Sequence, residues 1–551
     1  MRGLMMDRPL LISSIIDYAA ESYPHREVVS KRVEGDLHRY SYPQMRARIV
    51  QLAHGLEKKL GVRLDDRIGT IAWNGYRHME LYYAISGIGA ICHTMNPRLH
   101  REQVTYIVNH AADRFLFIDL TFLPLVEALI EQFPKLEGVV VMTNRAHMPA
   151  ESRIRDGAGK QLLCYEEILA GEATDRVWPE FDERQAAGLC YTSGTTGNPK
   201  GVLYSHRSNL LHAFSILSQG SLKLGQTSQV LPVVPLFHVN AWGLPYTGPL
   251  SGTNIVFPGP ALDGASLFDL MVQEKVTSAW GVPTVWLGLL AEFDKRQQAP
   301  DCLQEVIIGG SAPARAMVEA FELTWKIDVT HGWGMTEMSP VGTLGNLPSH
   351  YAGKPVNERI DYKIRQGRRM FGVEMKLVDE TGQRQPHDGK SQGELLVRGA
   401  AVTSGYYNDP AANAVAFDDE GWFRTGDMAT ISQDGYLDIV DRAKDIIKSG
   451  GEWISSIDLE NAAMGHPDVQ EAAVIGLPHP KWDERPLLVI VPKAGQTPDP
   501  QSIQDYLAAK VAKWWLPDDI VFVADMPHSA TGKLQKVKLR EQFKDHRLPS
   551  G

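Results

Sequence analysis

A chain of 551 residues, 43% hydrophobic and 22% charged, has the make-up of an ordinary soluble globular protein and is too long for one core, because single cores stop growing at about 250–300 residues. Its formal charge of -10 excludes a general nucleic-acid binder, which presents a basic face. The four cysteines, Cys92, Cys164, Cys190 and Cys302, are scattered without a C-x-x-C pair, so neither a zinc site nor a redox dithiol is indicated and a reducing, cytoplasmic home is expected.

The N-terminal MRGLMMDRPLLISSIIDYAAESYP mixes Asp and Glu into an apolar pattern, so it predicts an amphipathic helix and not a signal peptide. No uninterrupted apolar run reaches about 18 residues, so no transmembrane span is expected. RIGTIAW (67–73) predicts a strand and the following NGYRHMELYYAISGIGA a helix. RFLFID (114–119), GVVVMT (138–143), QVLPVVP (229–235), TNIVFPG (253–259) and EVIIGG (305–310) are further strands. Strands alternating with helices imply parallel sheets covered by helices, with ligands beyond the carboxyl ends of the strands. AAGLCYT reads as a short buried strand carrying Cys190 as a small core residue, and SHRSNLLHAF reads as a helix. The loop at 191–202 is therefore expected where a strand gives way to a helix. It should converge on one crevice with GGSAP (309–313) and HGWGMTE (331–337). After about residue 370 the texture becomes β-rich (GVEMKLVDE, GELLVRGA, and GYLDIVDR at 435–442). A last unit has strands EAAVIGL and LLVIVPK and a helix over DPQSIQDYLAAKVAKWW. The fold class is α/β. A large domain of helix-covered sheets plus a β-rich subdomain spans residues 1–441, and a small, mobile α+β domain spans 442–551.

The stretch YTSGTTGNPKGV, Tyr191 to Val202, carries the strongest chemical signal. Glycines let backbone approach a ligand closely. Bare N–H groups with Ser and Thr hydroxyls can wrap phosphate oxygens, and Lys200 adds charge. The NTPase loop needs G-x-x-x-x-G-K-[ST]. Here Gly194 and Gly197 are too close together and Lys200 is followed by Gly201.

The loop instead resembles the signature of the acyl-adenylate-forming superfamily: acyl-CoA synthetases, luciferases and adenylation domains. The resemblance extends from about residue 38 to 540 through several motifs in the superfamily's order. VPLFHVNAWG (234–243) and SGGEWISS (449–456) are similar to medium- and long-chain fatty acyl-CoA synthetases and to the related 3-methylthiopropionate-CoA ligases. The resemblance implies an ATP- and Mg²⁺-dependent ligase of fatty-acid and lipid metabolism. A carboxylate and ATP give acyl-AMP and pyrophosphate, and coenzyme A then attacks. The leading substrate is a medium or long apolar acid, and the alternative is 3-methylthiopropionate or another short or aryl acid. A luciferase-like or carrier-loading adenylation enzyme is a further alternative, and a nucleotide-binding scaffold or P-loop kinase stands outside the superfamily. The partners are small molecules, with no nucleic acid, transient membrane contact at most, and a homodimer favoured.

The resemblance assigns residues by motif. Lys533, in HSATGKLQK, matches the catalytic lysine, whose ammonium lies between two repelling anions. Thr192, Ser193, Gly194, Thr195, Thr196, Gly197 and Lys200 grip phosphate. Glu337, in GMTEMSP, matches the metal carboxylate, with Thr192 as its hydroxyl partner. The bland alternative for Glu337 is a helix cap. Gly310, Ser311 and Ala312 form one wall of the adenine slot and Trp333 the other, with Trp where the family most often has Tyr, and Gly334, Met335 and Thr336 are further nucleotide-binding positions. Asp427, in WFRTGDMA, matches the ribose carboxylate, and Arg442, in VDRAKD, a second ribose and phosphate contact. His238 and Trp242 lie in the segment that resembles the acyl gate, and Trp280 and Gly281 should line the same tunnel. His238 fits a core histidine equally well, and Trp242 could be a packed core side chain. Lys444 matches the hinge, and Ser449, Gly450, Gly451, Glu452 and Trp453 match a pantetheine channel.

Overall fold

The computed structural model of this protein describes residues 1, 3–156, 159–192, 198–219, 222–450, 452–528 and 533–549. Among them are three sheets, of thirteen, seven and five strands. The seven-stranded sheet runs Gln161–Cys164, Gly138–Val141, Phe115–Ile118, Arg67–Ile71, Ile91–Thr94, Ala186–Tyr191, Gly201–Ser205. Every pairing in it is parallel except the last. Its strands are apolar on both faces (Phe115, Leu116, Phe117 and Ile118 are all buried), as a sheet covered by helices requires. The first helix, Ser13–Ser22, buries Ile15, Ile16 and Ala19 and leaves Tyr18 exposed, the amphipathic pattern that the sequence predicts.

The thirteen-stranded sheet has two characters. Glu27–Lys31, Asn254–Phe257, Gln229–Pro232, Ser278–Gly281, Glu305–Ile308 and Asp328–Gly334 are parallel neighbours. The chain then turns back, and strands from Val341–Leu344 to Tyr436–Arg442 pair antiparallel. This is the β-rich texture seen beyond residue 370. The third sheet, built from Ile447–Ser449, Glu452–Ile454, Val469–His479, Asp483–Pro492 and Asp519–Phe522, has its own core around Ile447, Leu459, Val474, Leu488 and Ile503. The architecture is a large sheet-and-helix domain followed by a smaller C-terminal one.

Two expectations are corrected. The loop at 191–202 does not lead from strand to helix. It joins Ala186–Tyr191 to a second strand, Gly201–Ser205, paired antiparallel with it (Cys190 to Val202, Tyr191 to Gly201), and the helix His206–Gln219 begins only afterwards. Val202 and Tyr204 are buried on the sheet, and that burial favours a strand for a β-branched and aromatic run. The helix that follows in sequence is therefore separated from the loop by a strand. The helix expected through Trp515 stops at Ala508, with a separate 3₁₀ turn at Lys513–Trp515. Its apolar face is complete once Ile503 and Leu507 are buried.

Candidate active site

Two chain exits meet at one crevice. Ile307 and Ile308 pair in parallel with Thr330 and His331, so Gly309–Gly310 and Gly332–Trp333 leave the sheet side by side. A Cβ on Gly309 would lie 3.1 Å from the Gly332 carbonyl and 3.0 Å from the Trp242 ring. Gly310 has φ +82°, a conformation that favours glycine. Ser311 is exposed and Ala312 half-buried beyond it.

Of the loop, Ser193, Gly194, Thr195, Thr196 and Gly197 lie outside the described residues. Its two ends are tied together. The Thr192 N–H donates to the Lys200 carbonyl at 2.9 Å, and the Lys200 N–H donates to Thr192 Oγ1 at 3.1 Å. The Tyr407 N–H donates to the Gly201 carbonyl at 2.8 Å. That anchor brings the neighbouring Tyr406 over the loop, with Lys200 Nζ 4.8 Å from its ring centroid. The Tyr406 hydroxyl donates to Glu337 Oε1 at 2.7 Å. Sequence reasoning missed Tyr406. Nothing in GYYND marks it, because its role comes from a contact spanning 69 residues.

Glu337 is buried in the 3₁₀ turn Thr336–Met338. Burial pushes its carboxyl above the ordinary range, opposed by the Tyr406 hydrogen bond and by the charges of Arg442 and Lys200. Thr336 is fixed by the Tyr204 hydroxyl on its carbonyl, and Gly334 approaches the Pro340 carbonyl so closely that a Cβ would lie 2.1 Å from it. The Met335 N–H donates to the same carbonyl at 3.0 Å.

Asp427 is buried and doubly held. The Trp333 indole N–H donates to Oδ2 at 2.9 Å, and Arg442 Nε lies 2.9 Å from Oδ1. Asp427 and Arg442 face each other across an antiparallel pair. The indole thus supplies a hydrogen-bond donor of its own to Asp427.

Lys533 enters this crevice from the C-terminal domain. Its Cε lies 3.8 Å from where a Cβ on Gly310 would sit. Burial, then the Arg442 charge, lower its pKa to about 8, opposed by Asp427 and Glu337. His238 is half-buried nearby, and desolvation of its ring and the Lys533 charge lower its pKa to about 3, so the imidazole is neutral. His238 lines a cavity with Thr94, Met95, Tyr191, Thr192 and Phe237.

Trp242 rests on Gly309 at the end of an unusual backbone run. Val239, Asn240, Ala241 and Trp242 have φ of 46°, 54°, 44° and 57°, four consecutive side-chain-bearing residues in the left-handed region, including a β-branched one. Asn240 Oδ1 accepts from the Tyr82 hydroxyl at 3.2 Å, and the Ala241 N–H donates to the Pro235 carbonyl at 3.2 Å. Trp280 is buried, its indole N–H on Ser278 Oγ at 3.1 Å, and a Cβ on Gly281 would meet the Trp286 ring at 2.7 Å.

Lys444 is exposed in the turn between the two domains, and its carbonyl accepts from Arg540 at 3.3 Å. Ser449 and Glu452 pair in a short hairpin with Trp453 half-buried, and Gly451 lies outside the described residues. The Gly450 N–H donates to the Trp482 carbonyl at 2.8 Å, so the hairpin packs on its own domain. Cys190 is buried and its thiol is pushed up to about 11, which suits a core residue.

Residues 16–407 match the family model for the AMP-binding enzyme, and residues 458–533 match the AMP-binding enzyme C-terminal domain. The chain is 48% identical over 546 residues to 3-methylmercaptopropionyl-CoA ligase of Ruegeria lacuscaerulensis, with 99% of each chain covered. It is 44% identical over 555 residues to the medium-chain-fatty-acid–CoA ligase of Ectopseudomonas oleovorans, covering 100% of this chain and 99% of that one. Among solved structures, the anthranilate CoA ligase AuaEII in complex with anthranoyl-AMP superposes with a TM-score of 0.85 at 26% identity, over 98% of both chains. Among the described residues no helix is long and apolar enough to cross a membrane. The chain belongs to the AMP-binding enzymes of the acyl-adenylate-forming superfamily and is an acid–thiol ligase that uses ATP and coenzyme A.

Proposed function

We propose that this ligase activates a medium- or long-chain apolar carboxylic acid through acyl-AMP, with the division between its two domains falling at about residue 441. The observation that carries the reaction is Lys533 reaching into the crevice beside Gly310, with Asp427, Glu337 and Arg442 close enough to perturb it. A carboxylate approaching the α-phosphate meets Coulomb repulsion of about 4 kcal/mol for unit charges 4 Å apart at an effective dielectric near 20. An ammonium between the two anions offsets that term where charge develops. The loop Thr192–Lys200 supports the phosphates, Gly310–Ala312 and Trp333–Thr336 flank the adenine, and Asp427 and Arg442 take the ribose.

The donor set also suits Mg²⁺. Glu337 and Thr192 offer hard oxygens, and among the described residues no cluster of three or more His, Cys, Asp or Glu forms a metal cage. Mg²⁺ prefers one or two protein oxygens, with waters and substrate phosphates completing its sphere. When bound, it would neutralise phosphate charge. For the second step we assign the hinge to Lys444 and the thiol path to Ser449–Trp453, presented after the C-terminal domain turns. The acyl group enters between Trp242, His238 and the wall carrying Trp280 and Gly281.

The strained run 239–242 supports a moving Trp242, since a residue held off its relaxed geometry stores energy that a swing releases. Trp242→Ala is expected to raise kcat/KM for long acids relative to short ones by about tenfold, roughly what a few buried methylenes contribute. Unchanged chain-length kinetics would remove Trp242 from the gate. The second reading is 3-methylthiopropionate, favoured by the 48% identity to a 3-methylmercaptopropionyl-CoA ligase. Pyrophosphate release measured with acids from three to sixteen carbons, alongside that thioether acid, decides. A sharp optimum at the short thioether acid overturns the fatty-acid reading.

Trp333→Phe keeps the ring and removes the donor to Asp427. We expect the KM for ATP to rise about tenfold with kcat little changed, as for losing a charge-assisted hydrogen bond that serves ground and transition states alike. An unaltered KM would show that Asp427 needs no such support.

A further inference from the structure

One buried carboxylate of the large domain takes no part in that scheme. Asp441 lies on the strand Tyr436–Arg442, 1% exposed, and aspartate is almost never fully buried unless paired. Its Oδ2 accepts from the Ser456 N–H at 2.7 Å and from the Ser456 hydroxyl at 2.5 Å. Ser456 is the first residue of the helix Ser456–Met464, whose apolar side belongs to the C-terminal core. A carboxylate from one domain is therefore seated on the N-terminus of a helix of the other, where unpaired N–H groups and the helix dipole favour a negative charge. Beside it, the Ser455 hydroxyl donates to the Val440 carbonyl at 2.7 Å.

From this seat the contacts run directly to the catalytic segment. Lys536 donates to Ser456 Oγ at 2.5 Å and lies 2.7 Å from Glu460 Oε1. Glu460 in turn accepts from the Val474 N–H at 2.7 Å. Lys536 begins the helix Lys536–Gln542 and follows Lys533 by three residues, a reach of about 10 Å of extended chain. Arg540 on the same helix lies 2.8 Å from Asp445, in the turn joining the two domains. One docking point thus registers the helix, the helix registers Lys536, and Lys536 registers Lys533.

We propose that Asp441 is a positioning residue for adenylation: by holding Ser456 it fixes the C-terminal domain in the orientation that places Lys533 over Gly310. This inference rests on the two-step reaction proposed above. Turning the domain away must break both Ser456 hydrogen bonds and leave Asp441 to water, so the contact favours the first half-reaction only.

The test separates the half-reactions in the full-length enzyme. Asp441→Asn keeps the size and removes the charge, and Ser456→Ala removes one of the two donors. Pyrophosphate release in a single turnover should slow about tenfold in Asp441→Asn and about threefold in Ser456→Ala, the range for weakening one charge-assisted hydrogen bond. Thioester formation from supplied acyl-AMP should stay within about twofold of the parent, a split that general loss of structure does not produce. Spin labels on the exposed positions Gln392→Cys and Lys493→Cys report the domain orientation with ATP bound. Asp441→Asn should shrink the population at the distance seen in the parent. Equal loss in both half-reactions, no loss in either, or slowed adenylation with an unchanged distance distribution would each overturn the proposal. If the parent enzyme releases no pyrophosphate with any acid, the reaction itself is wrong, and the distance measurement still judges Asp441 by whether the substitution shifts the domain.

Discussion

Lys533→Ala is expected to slow adenylation by about 10²–10³-fold, the cost of removing one preorganised charge from a site where charge develops. The KM for ATP should change far less, because the proposed role of the ammonium lies mainly in the transition state and the proposed nucleotide contacts, the loop and Asp427, are left in place. Thioester formation from supplied acyl-AMP should be nearly untouched. Equal loss in both half-reactions would remove Lys533 from the adenylation step. The pH profile gives a second readout. Burial among partly opposing charges lowers the lysine's pKa to about 8, and the active form is the protonated one. For the free enzyme, kcat/KM for adenylation should therefore fall as pH rises through about 8. Bound ATP adds negative charge beside the ammonium and favours its proton, so the limb in kcat should lie higher. A kcat/KM profile flat to pH 10 would contradict the assignment.

Much of this chemistry is legible in the sequence because it is local. Glycines at 309, 310, 332 and 334 mark places of close approach, tight at Gly309 against the Trp242 ring and the Gly332 carbonyl and closed to any Cβ at Gly334 by the Pro340 carbonyl. Alternating apolar and helical segments announced the parallel sheets, since period and length decide between strand and helix. What escaped is long-range or belongs to pairing. GVLYS looks like the lead-in to SHRSNLLHAF until Cys190 pairs with Val202. Tyr406 carries no motif, and Asp441 lies inside VDRAKD beside Arg442 without a part of its own being marked there. Each acquires a part only through its contact, Tyr406 with Glu337 across 69 residues and Asp441 with Ser456 on the helix that follows the turn between the domains. The Trp333 donor on Asp427, a contact across 94 residues, is legible only in three dimensions.

Glu337 offers the other large effect. Its carboxyl is buried and one oxygen already accepts from Tyr406 at 2.7 Å, so the residue is held in place before any ligand arrives. A helix-capping carboxylate would sit at the surface beside free N–H groups. Glu337 instead is buried and accepts from the Tyr406 hydroxyl, whose ring lies 4.8 Å from Lys200 Nζ. Burial raises its pKa, and a bound cation would favour the ionised form. Glu337→Gln preserves the shape and the Tyr406 contact but removes the charge. We expect adenylation to fall by about 10²–10³-fold and the Mg²⁺ concentration for half-maximal rate to rise by about tenfold or more, as expected when a hard anionic oxygen donor is lost. Tyr406→Phe leaves the carboxylate and removes only its support, so a smaller loss of about three- to tenfold should follow. Pyrophosphate release titrated with Mg²⁺ at saturating ATP measures both variants. The sign with pH is fixed as well. The ionised carboxylate is the form that takes the metal, and its folded-state pKa is raised, so the Mg²⁺ requirement should increase as pH falls through the upper part of the carboxylate range. A Glu337→Gln enzyme with the parent's Mg²⁺ dependence would return this residue to a purely structural role and move the metal's protein ligand elsewhere.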